Sequence, residues 1–273
     1  MTVIIRKMNK ISIAIATFNE EENIGKCLGA VKNWVDEIVV VDGSSTDKTR
    51  EISKKFGAQV IKTTNKPLFH INKNIAIKAC HGDWILQLDA DEIVPPELRD
   101  EILSVVKQEP KVGQPVAYWL KRRNYFLGRY LKKGGQYPDP VIRFFRKGKA
   151  ILPAKDVHEQ MTVNGKVGWL KNELDHWATP KFSRYWLRER RYSTLQANFW
   201  FKEKLPINLW TFLKYVFWLP KKTFFMIFIR HKGFMDGWQG FVFAFFSGLH
   251  HAWSFLKYLR MRIKKVDVIK EWK

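Results

Sequence analysis

Between residues 11 and 91 the chain alternates short apolar stretches with stretches of helical periodicity, and this alternation constrains its fold more than any other feature. ISIAIAT (11–17), EIVVVD (37–42) and AQVIKT (58–63) read as strands, and DWILQLDAD (83–91) as a fourth with its polar end. The intervening segments 20–34, 46–56 and 71–81 read as helices. A βαβαβαβ series predicts an α/β fold: a mainly parallel, Rossmann-like sheet flanked by helices on both faces. In such sheets ligands sit beyond the carboxyl ends of the strands. The residues that follow each strand therefore carry the functional reading.

Those residues are polar in each case. The first strand runs into Thr17-Phe18-Asn19-Glu20-Glu21, the second into Asp42-Gly43-Ser44-Ser45-Thr46-Asp47, and the fourth into Asp89-Ala90-Asp91-Glu92. Taken singly each has a structural reading, since Asn19 or Thr46 suits a helix cap and Gly43 suits a turn. Three acidic strand ends in one sheet point to a ligand. On an extended backbone Asp89 and Asp91 project to the same side, so they are expected to converge on a hard cation, Mg²⁺ or Mn²⁺, completed by substrate phosphates. Asp42, followed by small residues that allow close approach, can accept from the N–H of a uracil-like base, with Thr17 and Glu20 closing the pocket. Together these features describe a nucleoside-diphosphate site.

Charge divides the chain unevenly. The formal net charge is +22, yet residues 1–110 hold 15 Lys or Arg against 16 Asp or Glu, leaving 33 against 10 for residues 111–273. The second part also holds ten of the 12 Trp and 17 of the 20 Phe, which suggests a catalytic unit coupled to an anionic surface or polymer. Nucleic acid would suit the charge and the aromatics, but acidic strand ends would repel its phosphates, and no nucleic-acid partner is expected. From 182 to 265 basic clusters alternate with aromatic runs. The stretch 207–229 is interrupted by Lys214 and Pro220-Lys221-Lys222, so it makes a poor span and a better interfacial helix on an anionic membrane. The first ten residues, MTVIIRKMNK, lack the apolar run of a secretory signal. The expected location is therefore the cytoplasmic face of the inner membrane, as a peripheral or monotopic protein. Two cysteines, Cys27 and Cys80, exclude a disulfide scaffold.

The three motifs in order, ISIAIATFNEEENIGKCL, VVVDGSSTDKT and ACHGDWILQLDADE, resemble the nucleotide-sugar half of inverting glycosyltransferases of family two, which have the GT-A fold. The resemblance implies that Thr17, Glu20 and Asp42, with Asn19 beside them, hold the nucleoside of a donor, a UDP-sugar being favoured. It further implies that Asp89 lies near the ribose and diphosphate and that Asp91 meets the metal. Lys73, on the preceding helix, either reaches the diphosphate or is a solvated lysine. RFFRKGKAILP followed by Val157-His158-Glu159, and the tail GFMDGWQGFVFAFF, are similar to the lipopolysaccharide-core group of the same family. Transfer with inversion needs a base for the acceptor hydroxyl. Glu159 is the first choice, Asp156 the reserve, and His158 a metal, phosphate or acceptor contact. His176 either approaches the metal or packs as a core histidine, and Arg143 either meets anionic groups or lies exposed on a strand. The implied organisation is a donor half (1–110), an acceptor-side half with a mobile loop (111–180) and an amphipathic helical region (181–273). The implied acceptor is a lipid-linked glycan, with a polyisoprenyl phosphate as the alternative.

Overall fold

The computed structural model describes residues 9–66, 68–108, 113–154 and 160–264. These residues fall into two compact units, drawn from Met1–Arg123 with Asp139–Trp177 and from Asn124–Pro138 with Ala178–Lys273.

The first unit is α/β. Its elements run β1 (Ile11–Thr17), α1 (Ile24–Gly29), β2 (Glu37–Asp42), α2 (Thr49–Lys55), β3 (Gln59–Lys62), α3 (Phe69–Ala79), β4 (Trp84–Asp89), β5 (Glu92–Ile93) and α4 (Pro96–Lys107). There follow β6 (Ala117–Phe126), β8 (Asp139–Arg146), β9 (Ala150–Ile151), β10 (Thr162–Val163) and β11 (Val167–Thr179), while β7 (Arg129–Tyr130) and the last residues of β6, on which it pairs, fall in the second unit. The main sheet has the order β3-β2-β1-β4-β8-β6-β11-β5. Strands β1 to β4 are parallel to one another, and β8 joins them antiparallel to β4.

Burial on both faces explains why these strands read as continuous apolar runs rather than alternating ones. Successive side chains still go to opposite sides. Ile11, Ile13, Ile15, Val40, Leu86 and Leu88 pack on one face with α1 and α4 residues such as Leu28 and Ile102. Ala14, Val39, Val41 and Ile85 pack on the other face with Ala76 and Ile77 of α3. Trp84 is fully enclosed, stacked on Phe144 of β8 at 4.6 Å between centroids. Burying a side chain of this size contributes about 1.5–3 kcal/mol.

Two helices are shorter than their periodicity predicts, and the loops before them are bonded together. The backbone N–H groups of Asn19, Glu20 and Glu21 donate to Ser45 Oγ, Thr49 Oγ1 and Asp47 Oδ2. In return Thr46 N–H donates to Asn19 Oδ1 and Lys48 N–H to Glu21 Oε2. The two strand-end loops are thus bonded to each other, and α1 starts at Ile24 and α2 at Thr49.

The second unit is helical: α5 (Phe182–Lys202), α6 (Leu209–Leu213), a π-helical turn (Lys214–Trp218), α7 (Leu219–Phe225), a second π-helical turn (Met226–Arg230), a short 3₁₀ turn (Gly233–Asp236) and α8 (Gly237–Lys264). Asn208 and Thr211 form a reciprocal capping box at the start of α6. Pro220 has no N–H to donate and its ring crowds the preceding turn; the first wide π-helical turn lies just before it, so the run continues instead of breaking. Ala197, Trp200, Phe255 and Tyr258 form the core between α5 and α8. Buried Asp236 accepts from the backbone N–H groups of Lys132 and Lys133 at 3.1 and 2.8 Å. Among the described residues no helix is long and apolar enough to cross a membrane.

Gly82 turns the chain into β4 against β1, and a Cβ there would lie 2.6 Å from Ser12 Oγ and 2.8 Å from Ser12 N. Replacing Gly82→Ala should lower the unfolding free energy in urea by about 1–3 kcal/mol. An unchanged transition midpoint would contradict this packing.

Candidate active site

Parallel pairing lines the strand ends up in a row. Thr17 is in register with Asp42, and Asp89 with Ala16, so the three candidate strand ends share one edge of the sheet. Thr17 is 6 % exposed, and its Oγ1 is buried without a hydrogen-bond partner among the described residues. A buried hydroxyl in that state costs free energy unless something else satisfies it. Asp42 is fully buried and closes its own loop, accepting from Ser45 N–H at 3.0 Å and Ser45 Oγ–H at 2.5 Å, with Arg50 Nε at 3.8 Å. A carboxylate has about four lone-pair sites, so these contacts fix its direction and leave acceptor capacity. Asn19 bridges the two loops through its side chain, and Glu20 Oε2 accepts from Asn23 Nδ2 at 2.6 Å.

Asp89 lies at the centre of a charged cluster that the sequence does not announce. Its Oδ1 is 2.5 Å from Lys73 Nζ, and its Oδ2 accepts from Arg143 at 2.5 Å. Arg143 also donates to fully buried Glu92 at 2.8 Å and to Gln87. Arg122 lies 3.4 Å from Glu92 and 2.6 Å from Asp139. Lys73, Arg122 and Arg143 against Asp89, Glu92 and Asp139 make an arrangement without net charge. Burial opposes ionisation of Asp89, but Arg143 and Lys73 outweigh it and hold the carboxyl well below its ordinary range. Burial likewise opposes the Arg143 charge, and Asp89 and Glu92 outweigh it, raising its pKa. For Lys73 burial prevails over the Asp89 contribution and the ammonium pKa is lowered.

These contacts decide two open alternatives and revise one expectation. Lys73 is no solvated helix lysine: its side chain is 8 % exposed and is bound to Asp89. Arg143 is buried rather than exposed on its strand. The Asp89-Ala90-Asp91 segment is not extended, because the chain turns at Ala90 and Asp91 between β4 and β5. That turn, held by Asp89 N–H donating to Glu92 Oε2 at 2.9 Å, puts the two aspartates in different surroundings. Asp91 instead faces β11: its carbonyl accepts from Trp177 N–H at 2.8 Å, and its Oδ1 is 3.7 Å from His176 Nε2. The antiparallel pairing of β11 with β5, His176 opposite Glu92, makes that approach.

Lys155, Asp156, Val157, His158 and Glu159 lie outside the described residues. Glu92, Arg122 and Gln87 belong to the cluster around Asp89, and sequence reasoning passed over them. Gln87 carried a signal, as the one polar residue inside a strand buried on both faces, WILQL.

Asp89→Asn would leave Lys73 and Arg143 facing a neutral amide. Such a break in a buried pair should cost on the order of 3–5 kcal/mol of stability at pH 7. Asp89 has a depressed folded-state pKa, so its contribution is fully present above the ordinary aspartate value, about 3.9, and is lost as pH falls through the folded-state value. The stability gap between the native chain and the variant should therefore hold steady from pH 7 to about pH 4 and close only below it. Denaturant titrations across that range that show a gap already closing near pH 6 would refute the assignment.

Comparison with known proteins identifies the family. Glycosyl transferase family 2 matches residues 12–162. An uncharacterized glycosyltransferase of Rickettsia typhi is 29% identical over 273 residues, covering 96% of this chain and 91% of its own. The lipopolysaccharide core biosynthesis glycosyltransferase LpsC of Rhizobium meliloti is 27% identical over 256 residues, covering 87% of this chain and 90% of its own. Among solved structures, that of S. aureus TarS 1-349 in complex with UDP is 15% identical, covers 91% of this chain and 89% of that one, and has a TM-score of 0.47. The family match spans more than half of the sequence and contains the whole row of strand ends, so the chain belongs to glycosyl transferase family 2 and is a glycosyltransferase.

Proposed function

We propose that the protein transfers a sugar, with inversion, from a nucleoside-diphosphate donor to a lipid-linked glycan at the cytoplasmic face of an anionic membrane. The observation that carries the donor half of this reading is the single row of Thr17, Asp42 and Asp89 at one sheet edge, with Asp91 and His176 beside it. Thr17 offers the unmet hydroxyl, Asp42 offers acceptor capacity to a uracil-like base, and Asn19 and Glu20 shape the first loop around it. A UDP-sugar is the favoured donor. Asp89, kept ionised by Lys73 and Arg143, faces the ribose, and Lys73 acts through Asp89 rather than on the diphosphate.

The donor set at Asp91 and His176 fits a divalent cation, Mg²⁺ or Mn²⁺: one carboxylate and one imidazole 3.7 Å apart, both largely buried. Asp89 does not fit as a ligand, because both of its oxygens are engaged by cations. Among the described residues no group of three or more His, Cys, Asp or Glu is placed to hold a metal, so donor phosphates would complete the coordination. A bound cation would offset negative charge on the departing diphosphate. In the transfer itself the acceptor hydroxyl oxygen bonds to the anomeric carbon as the bond to the diphosphate oxygen breaks, the electron pair leaving with the nucleotide. Glu159 takes the hydroxyl proton in this reading, with Asp156 in reserve and His158 contacting the acceptor. The lipid-linked acceptor is supported by the likeness to a lipopolysaccharide core enzyme and by the cationic second half of the sequence.

Purified protein offered a panel of nucleotide sugars with both lipopolysaccharide-core and polyisoprenyl-phosphate acceptors should transfer sugar to the former. Asp91→Ala should reduce turnover by at least about 100-fold. Calorimetry of UDP with Mn²⁺ should show weakened binding for both Asp91→Ala and His176→Ala. Full turnover in Asp91→Ala would sink the metal assignment, and transfer only to the polyisoprenyl phosphate would replace the acceptor.

A further inference from the structure

The helical run from 209 to 230 has an unusual surface. Its exposed residues come in pairs that recur every four positions, from Leu209-Trp210 through Phe217-Trp218 to Ile229-Arg230. Leu209, Trp210 and Trp218 are 73%, 75% and 64% exposed. In an ideal α-helix of 3.6 residues per turn a four-residue repeat drifts by about 40° at each step and would spiral around the rod. The two π-helical turns, Lys214–Trp218 and Met226–Arg230, hold more residues per turn and counter that drift. The pairs consequently stay on one side.

The opposite side of the run is closed. Gly240, Ala244, Gly248 and Ala252 repeat every four residues along α8 and are all buried. A Cβ on Gly248 would come within 2.6 Å of the Pro220 carbonyl oxygen, so the two backbones are in direct contact. Seams of small residues of this kind bring helices together where no hydrophobic force from water drives them. One face of the run is committed to α8, and the other is an apolar and aromatic stripe of the sort that marks an interaction surface.

Charge selects the occupant. No acidic residue occurs between Glu203 and Asp236, and Asp236 is itself buried on the Lys132 and Lys133 amides. Lys214, Lys221, Lys222 and Arg230 share the exposed stripe with its aromatics and have no ion pair among the described residues. Cations interleaved with tryptophan and phenylalanine match the boundary between lipid headgroups and acyl chains.

We propose that the exposed stripe of residues 209–230 is a membrane-insertion face, lying in the plane of an anionic bilayer with Trp210, Phe217 and Trp218 below the headgroups and Lys221 and Lys222 on lipid phosphates. This deepens the membrane part of the proposed function by assigning it to one face of one helical run, and it does not depend on the donor site.

The test uses the full chain with vesicles of phosphatidylcholine alone and with about a quarter phosphatidylglycerol. Sedimentation should show binding to the anionic vesicles only, and brominated lipids should quench Trp210 and Trp218. Lys221→Gln with Lys222→Gln should weaken binding by about 25-fold, near five-fold per charge. Trp210→Ser, Phe217→Ser and Trp218→Ser together should abolish it, while titration of UDP with Mn²⁺ on the same variants remains unchanged. Equal vesicle binding by the triple variant overturns the proposal. So does concentration-dependent self-association that this variant relieves in the absence of vesicle binding, which would give the face to a second copy. A native chain that binds vesicles but no nucleotide would refute the donor reading alone.

Discussion

The grip of Lys73 and Arg143 on Asp89 is the interaction on which the polar edge of the first unit depends. A carboxylate at the end of a strand buried on both faces would be costly without compensation. Here the compensation comes from three directions: α3 through Lys73, β8 through Arg143, and the turn into β5 through Glu92, which takes the Asp89 amide and the Arg143 guanidinium together. Arg122 and Asp139 extend the same cluster outward to β6 and the start of β8. The cluster is charge-balanced, so it can be dense and buried without adding to the large positive charge of the chain. It also ties the antiparallel strands to the parallel ones through side chains as well as through the backbone ladder.

The fold was largely legible in the sequence because it is local. Strands β1, β2 and β4 sit where the apolar runs stand, and the polar residues after them do line one edge of the sheet. What escaped reading is non-local. Arg143 meets Asp89 across 54 positions of sequence, and no periodicity encodes that meeting. His176 approaches Asp91 only because β5, two residues long, pairs with β11. The turn at Ala90 and Asp91 defeats the expectation that alternate aspartates on a strand converge, since the strand has already ended at Asp89. Helix boundaries were also read too wide: the periodicity from Glu20 to Trp34 covers a helix of only Ile24–Gly29.

The helical unit shows a different economy. Its interior is aromatic, with Trp200, Phe255 and Tyr258 mutually in contact, yet many of its other aromatics remain exposed. Composition alone could not separate these two populations. The wide turns around Pro220 do so, because they decide which residues of a four-residue repeat face α8 and which face away. A proline that reads in sequence as an interruption thereby becomes part of what keeps the outer stripe straight.

The mutual bonding of the loops at 19–21 and 45–49 has a consequence for how such a site can change. Asn19 and Ser44 both hold left-handed backbone conformations, at φ of 52° and 69°, which Asn tolerates better than most residues and Ser does not favour. Each loop's shape is sustained by groups on the other, since backbone donors of one are met by side chains of its partner. The pair is therefore one structural unit. A segment borrowed from a relative into one loop alone would arrive with its amides unmatched, so divergence at this edge of the sheet is expected to proceed by coordinated exchange of both.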